Sequence, residues 1–272
     1  MVSIVCVGEI TVDRYLDSGR VYIGGISLNF AVNARRCGAE RVALLSAVGD
    51  DAGGALARQK LARERVDHSH VITLPGPTAR QDVRIVEGER FFPPGGYAAG
   101  VLADLRLGHN DLEFIAGFDV LVVPVFRQIE HLARAALATP GFQGRRVADL
   151  LDGTDLGERL EGLAALLPFL DIAFISSDEH TVALLETLAR NSGTLIVATL
   201  GAAGSVAWHQ GTRMFQPALP VAQPVDSTGC GDAFQAAFTV TYLHGASIAA
   251  ALAAGAARAA EVLQHYGATD DA

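Results

Sequence analysis

Residues 119–151 read DVLVVPVFRQIEHLARAALATPGFQGRRVADLL, and this stretch decides the fold class. Two largely apolar runs, DVLVVPV at 119–125 and RRVADLL at 145–151, flank the amphipathic segment IEHLARAALAT at 129–139. Apolar strands separated by a segment with helical periodicity indicate a parallel sheet covered by helices on both faces. The stretch therefore predicts a strand–helix–strand unit of an α/β fold.

The same alternation continues in both directions along the chain. Strands are also predicted at 3–8, 41–48, 171–176 and 194–200, and amphipathic helices at 53–65 and 178–191. Beyond residue 231 the pattern is mostly helical, over 232–245 and 247–266. We expect a three-layer α/β sandwich with a mainly parallel central sheet, formed by a single domain over residues 1–272.

Two segments without helices of their own interrupt the alternation. VDRYLDSGRVYIGG at 12–25 and ARQDVRIVEGERFF at 79–92 each alternate polar and apolar residues about a turn, as β-hairpins do. They are either a surface β-meander or a small β lid, formed by segments at about 12–24 and 78–93, that closes over a ligand. A third hairpin, SVAWHQGTRMFQPA at 205–218, is expected to extend the edge of the central sheet.

The composition excludes several classes of function. A net charge of −9 argues against nucleic-acid and anionic membrane partners, and the longest apolar runs are too short to span a bilayer. Cys6, Cys37 and Cys230 are scattered without metal-site spacing, and no signal peptide is visible, so we expect a cytoplasmic protein. Lys60 is the sole lysine and lies in a glycine-free segment, which excludes a P-loop.

The segment STGCGDAFQAAF at 227–238 is the strongest candidate for a site of chemistry. Gly229 and Gly231 allow backbone amides to converge on an anion, and the helix that follows points its positive end at the same place. We expect that field to keep Asp232 ionised and able to accept a proton, as phosphoryl transfer to a hydroxyl requires. The alternative, that Asp232 is only a favourable first-turn acid, stays open on this motif alone.

Weaker candidates lie elsewhere in the chain. Asn29 follows the glycine pair Gly24–Gly25 and could hydrogen-bond a polyol, and Asp13 could accept bonds from vicinal hydroxyls. A polar stripe of Asn29, Asn33 and Arg36 is most simply a solvated helix face. The glycines of TLGAAGS at 199–205 could let a nucleotide lie against the backbone where a strand ends.

The segment ISSDEHTVALL at 175–185 follows another predicted strand and opens a helix. Ser177 or Asp178 is expected to cap that helix. Glu179 could instead hold Mg²⁺ through water.

These pieces together resemble the ribokinase (PfkB) family of carbohydrate kinases over essentially the whole chain. The resemblance rests on the glycine pair with Asn29, on VGDDAGG at 48–54, on TLGAAGS, and above all on DSTGCGDAF at 226–234, which matches the family signature DTxGAGDxF. Within the family the chain is most similar to the fructoselysine 6-kinases, from the segments at 66–71, 90–107 and 256–268. The resemblance implies a sandwich with a β lid and ATP-dependent, Mg²⁺-assisted phosphorylation of a hydroxyl on a ketose-like sugar or fructosamine.

The resemblance also implies a role for each matching residue. Asp232 would be the catalytic base, beside an anion hole of Gly229, Cys230 and Gly231. Asp13, Gly24, Gly25 and Asn29 would bind the sugar, and Thr199, Gly201, Gly204 and Ser176 the nucleotide. Glu179 would organise Mg²⁺ through water, and Asp226 and Thr228 match positions that hold a monovalent cation such as K⁺ in some members.

Two departures from the family pattern bear on these roles. Ser176 replaces the asparagine of the NxxE motif, which alters hydrogen bonding around the phosphates and metal waters. Cys230 replaces an alanine, a small change that keeps the backbone amide.

Other functions stay open. A nucleoside kinase of the same fold is disfavoured because no clear aromatic clamp for a base is seen, with Tyr15, Tyr22 and Phe91 as candidates. A sugar-binding protein with weak catalysis would follow if Ser176 spoils metal handling. Exposed hairpin edges would allow a homodimer through the lid.

Overall fold

The computed structural model describes residues 2–152 and 164–269, without the side chains of Asp152 and Glu179. Its strands are β1 (Ser3–Val7), β2 (Thr11–Tyr15), β3 (Val21–Gly24), β4 (Arg41–Gly49), β5 (Val71–Leu74), β6 (Arg80–Val86), β7 (Glu89–Phe91), β8 (Tyr97–Ala98), β9 (Val120–Pro124), β10 (Arg145–Asp152), β11 (Ile172–Ser176), β12 (Leu195–Thr199), β13 (Ser205–His209) and β14 (Thr212–Gln216). Its helices are α1 (Ile26–Arg36), α2 (Ala52–Arg63), α3 (His109–Ala116), α4 (Glu130–Leu137), α5 (Glu179–Arg190), α6 (Cys230–Leu243) and α7 (Ile248–Val262).

The central sheet has nine strands in the described ranges, in the order β14-β13-β12-β11-β10-β9-β1-β4-β5. From β12 to β5 neighbouring strands are parallel, and the helical crossovers between them cover both faces. The pairs β12–β13 and β13–β14 are antiparallel, because tight connections join them. The mainly parallel sheet and the third hairpin at its edge are therefore confirmed.

Alternate residues of β1 show how the three layers are held together. Ile4 and Cys6 are buried on one face with side chains of α1, α2, α6 and α7, whereas Val5 and Val7 are buried on the other with α3, α4 and α5. Side chains of a strand point alternately to opposite faces, so a strand buried on both sides must be apolar throughout. The three-layer sandwich is confirmed, with one core on each face of the central sheet.

A second sheet forms the small β lid. Its strands lie in the order β3-β2-β6-β7, with β8 paired to β6, and the hairpins β2–β3 and β6–β7 are antiparallel as predicted. Ser227, in the loop before α6, donates its N–H to Gly88 O at 2.9 Å and accepts from the Arg90 N–H through Oγ at 2.8 Å. The hairpin β6–β7 is thus docked on the loop before α6, which favours the lid interpretation over a detached surface meander.

Three elements were not predicted from the sequence, and one of them, β8, has only two residues. The edge strand β5 is four residues long and half-exposed, and α3 is a short helix that buries Ile115. Both carry too few apolar positions to show a clear periodicity. None of the helices in the described ranges has the length and apolarity needed to cross a bilayer.

Candidate active site

The loop before α6 forms the first part of the site. Gly229 has φ 78°, in the left-handed region, and directly precedes Cys230, the first residue of the helix. A Cβ at Gly229 would lie 2.1 Å from the Cβ of Ala268, so glycine is required here. A Cβ at Gly231 would meet no atom within 4 Å, so the space at that residue is open. Because first-turn amides lack partners within their own helix, this turn can bind an anion.

Cys230, the first residue of α6, does not have the low thiol pKa of a reactive cysteine. Burial raises the pKa of its thiol to about 12, so the thiol stays protonated near neutral pH. The Cys230 N–H donates to Ser227 O at 3.2 Å, so this amide takes part in the turn itself. The amides of Gly231 and Asp232 are therefore the first-turn donors best placed for an anion.

Asp232 lies in the first turn of α6 and is 8% exposed. Burial, and then the neighbouring Asp149 carboxylate, raise its pKa to about 7, although the hydrogen bond from Asn29 and the charge of Arg90 act in the opposite direction. Desolvation thus outweighs the field of the helix terminus, which was expected to keep Asp232 ionised. A carboxyl with a pKa near 7 is well matched to general-base catalysis at neutral pH.

Asn29 holds Asp232 in place. Its Nδ2 donates to Asp232 Oδ2 at 2.8 Å, joining α1 to α6. Behind it, Asn33 Nδ2 donates to Asn29 O at 2.9 Å, and Arg258 Nε donates to Asn33 Oδ1 at 2.8 Å. The predicted solvated stripe is wrong for these two asparagines, because α6 and α7 cover that face of α1. Only Arg36 faces outward, where it pairs with Glu64 at 2.7 Å.

Asp13 and the glycine pair form the adjoining wall. Asp13 is buried in β2 and accepts from Thr11 Oγ1 at 2.6 Å, and burial raises its pKa to about 7. A Cβ at Gly24 would lie 2.2 Å from Asp13 Oδ2, so the glycine makes room for this carboxylate. Gly25, with φ 101°, precedes α1 and brings its first turn against the backbone of Glu9 and Thr11.

A cavity of about 910 Å³ lies between the lid and the carboxyl-terminal ends of the central strands. That edge of a parallel sheet is where α/β proteins bind ligands. Eight of the residues singled out from the sequence line it: Asp13, Gly25, Asn29, Ser176, Thr228, Gly229, Gly231 and Asp232.

Several lining residues were missed from the sequence. Glu9 lies just after the apolar strand β1, and Asp149 lies in the second half of β10. Their position near the carboxyl ends of these strands was the available signal. The lid contributes Arg90, whose charge lowers the pKa of Asp232. Three aromatic side chains also line the cavity, and they are Phe92, Tyr97 and Phe126. None of the aromatic candidates named from the sequence does so.

The residues assigned to the nucleotide lie beside this cavity. Ser176 and Thr199 are paired in register at the ends of β11 and β12, with their hydroxyl oxygens 3.5 Å apart. Ser176 lines the cavity, whereas Thr199 and the glycines after it do not. Gly201 is exposed with open space at its Cβ position, and Gly204, with φ 113°, turns the chain into β13. The structure thus offers a glycine-rich surface next to the cavity.

Asp226 is fully buried and joins three parts of the fold. It accepts from the Tyr15 hydroxyl of the lid at 2.5 Å, from Thr228 N–H at 2.8 Å and from Gly267 N–H at 2.9 Å. Its oxygens therefore already have donors, which is a poor fit for a monovalent cation. The Glu179 side chain lies outside the described part of the structure, while Asp178 caps α5 by accepting from Thr181 N–H at 2.9 Å.

Replacing Asp226 by alanine is expected to lower the free energy of unfolding by about 3 kcal/mol, because three buried donors lose their acceptor. Urea denaturation followed by circular dichroism measures the change. Asp226→Asn keeps one acceptor oxygen and is expected to lose less. An alanine variant as stable as the natural protein would show that these bonds contribute nothing net.

Comparison with known proteins gives a consistent result. Residues 1–272 match the family described as pfkB family carbohydrate kinase. A fructoselysine 6-kinase from Shigella flexneri is 33% identical over 274 residues, covering 98% of this chain and 100% of the relative. A fructosamine kinase from Bacillus subtilis is 27% identical, covering 98% and 92% of the two chains.

Solved structures share the architecture. An E. coli chain described as a ribokinase II, solved with ATP and Mg²⁺, superposes with a TM-score of 0.80 at 21% identity. The match covers 98% of this chain and 94% of the other. At this level of identity the likeness establishes the fold.

Proposed function

Since this chain belongs to the pfkB family of carbohydrate kinases, we propose that it transfers the γ-phosphate of ATP to a hydroxyl of a fructosamine or a similar ketose-like sugar. Family membership makes it a phosphotransferase that acts on a sugar hydroxyl. The observation that carries the finer assignment is Asp232, a buried carboxyl beside open first-turn amides on one wall of the cavity. The full-length similarity to a fructoselysine 6-kinase favours an amine-bearing sugar as acceptor.

The geometry suggests how the transfer proceeds. Asp232 takes the proton of the sugar's acceptor hydroxyl while the oxygen of that hydroxyl attacks the γ-phosphorus of ATP. The bond between the γ-phosphorus and the oxygen that bridges it to ADP breaks. The amides of Gly231 and Asp232 stabilise the charge on the transferred group. Asn29 orients the base, and Asp13 accepts hydrogen bonds from the sugar's other hydroxyls.

In this mechanism a metal ion would bind together with the nucleotide and not at a separate protein site. Among the described residues no group of three or more His, Cys, Asp or Glu side chains is placed to hold an ion. Mg²⁺ would then take most of its ligands from phosphate oxygens and water, with Glu179 as the side chain suggested by the family motif. It would screen the phosphate charge. We assign no step to K⁺.

The pH dependence of the reaction follows from the raised pKa of Asp232. The base must be ionised, so kcat/KM is expected to rise about tenfold per pH unit below pH 7 and to level off above it. Asp13 titrates in the same range and steepens the acid limb. Initial rates across buffers of constant ionic strength measure the profile. A profile that is flat from about pH 5.5 to about pH 8 would contradict the assignment of Asp232 as base.

One observation supports a nucleoside kinase as the second candidate. Phe92, Tyr97 and Phe126 give the cavity the aromatic surface that sequence reading did not identify, and a nucleobase could stack there. The test is a panel of fructose, fructoselysine, adenosine and cytidine with Mg²⁺ and ATP. ADP release is measured, and the product is identified by mass spectrometry and NMR.

The outcomes of this panel separate the three functions. Turnover of fructoselysine well above the nucleosides supports the proposal. Turnover of nucleosides alone supports the second candidate. Thermal stabilisation by a sugar without ADP release indicates a sugar-binding protein, as expected if Ser176 impairs metal handling.

Two further predictions concern the state of the protein in the cell. The exposed side chains of Val21, Val86 and Phe91 on the lid are compatible with a homodimer through that sheet. Light scattering coupled to size-exclusion chromatography measures the mass.

A cytoplasmic location is consistent with three free cysteines in the described residues.

A further inference from the structure

Glu9 lines the cavity but has no part in the transfer just described. It follows β1, is 5% exposed, and accepts from Ile26 N–H through Oε1 at 3.2 Å. Its second oxygen, Oε2, is buried and has no hydrogen-bond partner among the described residues. A buried carboxylate oxygen without a partner is costly, so its position on the cavity wall points to an atom of the ligand.

Among the described residues, no oxygen of the other buried acids of the cavity is both buried and without a partner. Asp13 accepts from the Thr11 hydroxyl, and Asp232 accepts from the Asn29 amide. Asp149 accepts from Leu151 N–H at 2.9 Å. Basic groups also act on these three acids, since Lys60 lowers the pKa of Asp13 and Arg90 lowers those of Asp149 and Asp232.

Tyr97 adjoins the Glu9 carboxylate, and Phe126 packs against Tyr97. The Tyr97 hydroxyl interacts with that carboxylate: this contact, after burial, raises the pKa of Tyr97 and lowers that of Glu9, although the two groups are not in the geometry of a regular hydrogen bond. The rings of Tyr97 and Phe126 pack edge to face, with centroids 5.6 Å apart. We call Glu9, Tyr97 and Phe126 the amine wall. A carboxylate beside aromatic faces is the chemistry that binds an alkylammonium ion.

We propose that the amine wall binds the protonated amine of the substrate, so that Glu9, Tyr97 and Phe126 determine specificity for a cationic aminosugar over a neutral ketose. The inference rests on the proposed function, in which the acceptor is a fructosamine. In such a sugar the secondary amine carries a positive charge at neutral pH. Glu9 supplies the opposite charge, the oxygen of the Tyr97 hydroxyl can accept an N–H, and the rings cover the substituent.

The test compares two sugars that differ in one atom. In 1-deoxy-1-(propylamino)fructose the substituent is joined through an ammonium nitrogen, and in 1-O-propylfructose through an ether oxygen. Calorimetry without ATP measures the affinity of the full-length protein for each sugar, and kcat/KM is measured separately with Mg²⁺ and ATP. The variants are Glu9→Gln, which keeps an acceptor for Ile26 N–H, and Phe126→Leu, with the exposed Glu113→Gln as control.

The natural protein is expected to bind the amine about 10- to 100-fold more tightly than the ether, as for a charge-assisted hydrogen bond. Glu9→Gln is expected to remove most of this preference while leaving ether binding within about threefold, and Phe126→Leu to reduce it in part. Glu113→Gln should keep it. Equal affinity of the natural protein for both sugars, or a preference that survives in Glu9→Gln, would overturn the proposal.

The binding measurement stands apart from catalysis. A preference for the amine that depends on Glu9, seen without phosphorylation of either sugar, would support the amine wall and refute the kinase assignment. Phosphorylation of both sugars with equal kcat/KM would support the kinase and refute the amine wall.

Discussion

Replacing Asp232 by asparagine is expected to lower kcat by about 1000-fold or more, because an amide cannot accept the proton of the attacking hydroxyl. The change is nearly isosteric, and the oxygen of the new side-chain amide can still accept from Asn29 Nδ2, which lies 2.8 Å from Asp232 Oδ2. Binding of ATP and of sugar is therefore expected to stay within a few-fold of the natural protein. Single-turnover kinetics and calorimetry measure the two effects separately.

The stability of the same variant provides an internal control. The folded-state pKa of Asp232 is about 7, above the value of 3.8 for an unperturbed aspartate, so the folded protein holds a proton that the unfolded chain has lost between these values. The contribution of Asp232 to the free energy of unfolding therefore falls as the pH rises from about 4 to about 7. Asp232→Asn has no charge to bury, and its melting temperature at about pH 8 should equal or exceed that of the natural protein.

The matched control for activity is Asp104→Asn, since Asp104 is exposed and does not line the cavity. It should leave kcat unchanged. An Asp232→Asn variant that keeps more than about a tenth of the natural kcat would show that another group serves as base.

Replacing Gly229 by alanine is expected to impair both folding and catalysis. The new Cβ would lie 2.1 Å from the Cβ of Ala268, at a φ of 78° that costs a non-glycine residue about 1–2 kcal/mol by itself. The loop must move to relieve the contact, which displaces the first turn of α6. We expect the free energy of unfolding to fall by about 2–4 kcal/mol and kcat by about 100-fold.

Alanine substitutions at two other glycines serve as controls. They show whether the loss at Gly229 comes from backbone strain and close contact or from any added methyl group. Gly231→Ala meets no atom within 4 Å, so it should leave the melting temperature unchanged even if it obstructs the cavity. Gly193→Ala, on a bend with no atom near the added Cβ, should change neither stability nor activity. If the Gly229→Ala variant has the same melting temperature as the natural protein, the close approach to Ala268 does not constrain the loop.

Much of the fold was predictable because its signals are local. The strands β1, β4, β9, β10, β11 and β12 are largely continuous apolar runs, which are typical of parallel strands buried on both faces of a sheet. The hairpins of the lid show two-residue alternation about turns at Ser18 and Gly88. Strand β5 and helix α3 were missed because each is short and partly exposed.

The site was less predictable because its properties arise between elements. Asn33 looks like an exposed polar residue on its own helix, but α6 and α7 cover it and Arg258 bonds it. Asp232 looks ionised beside a helix terminus, but burial together with Asp149, which is distant in sequence, raises its pKa. Such terms depend on desolvation and on distances through space, which no local pattern contains.

The sequence by itself determined the α/β class, the two lid hairpins and the glycine-containing loop before α6, and it suggested Asp232 as the candidate base. These follow from periodicity and from backbone freedom, which each segment carries with it. Only the tertiary structure decided which side chains face one another. Glu9 from the end of β1, Tyr97 from the lid and Phe126 after β9 form one wall because the sheet order and the lid bring them together. Within the described ranges, only there does a buried carboxylate oxygen lack a partner.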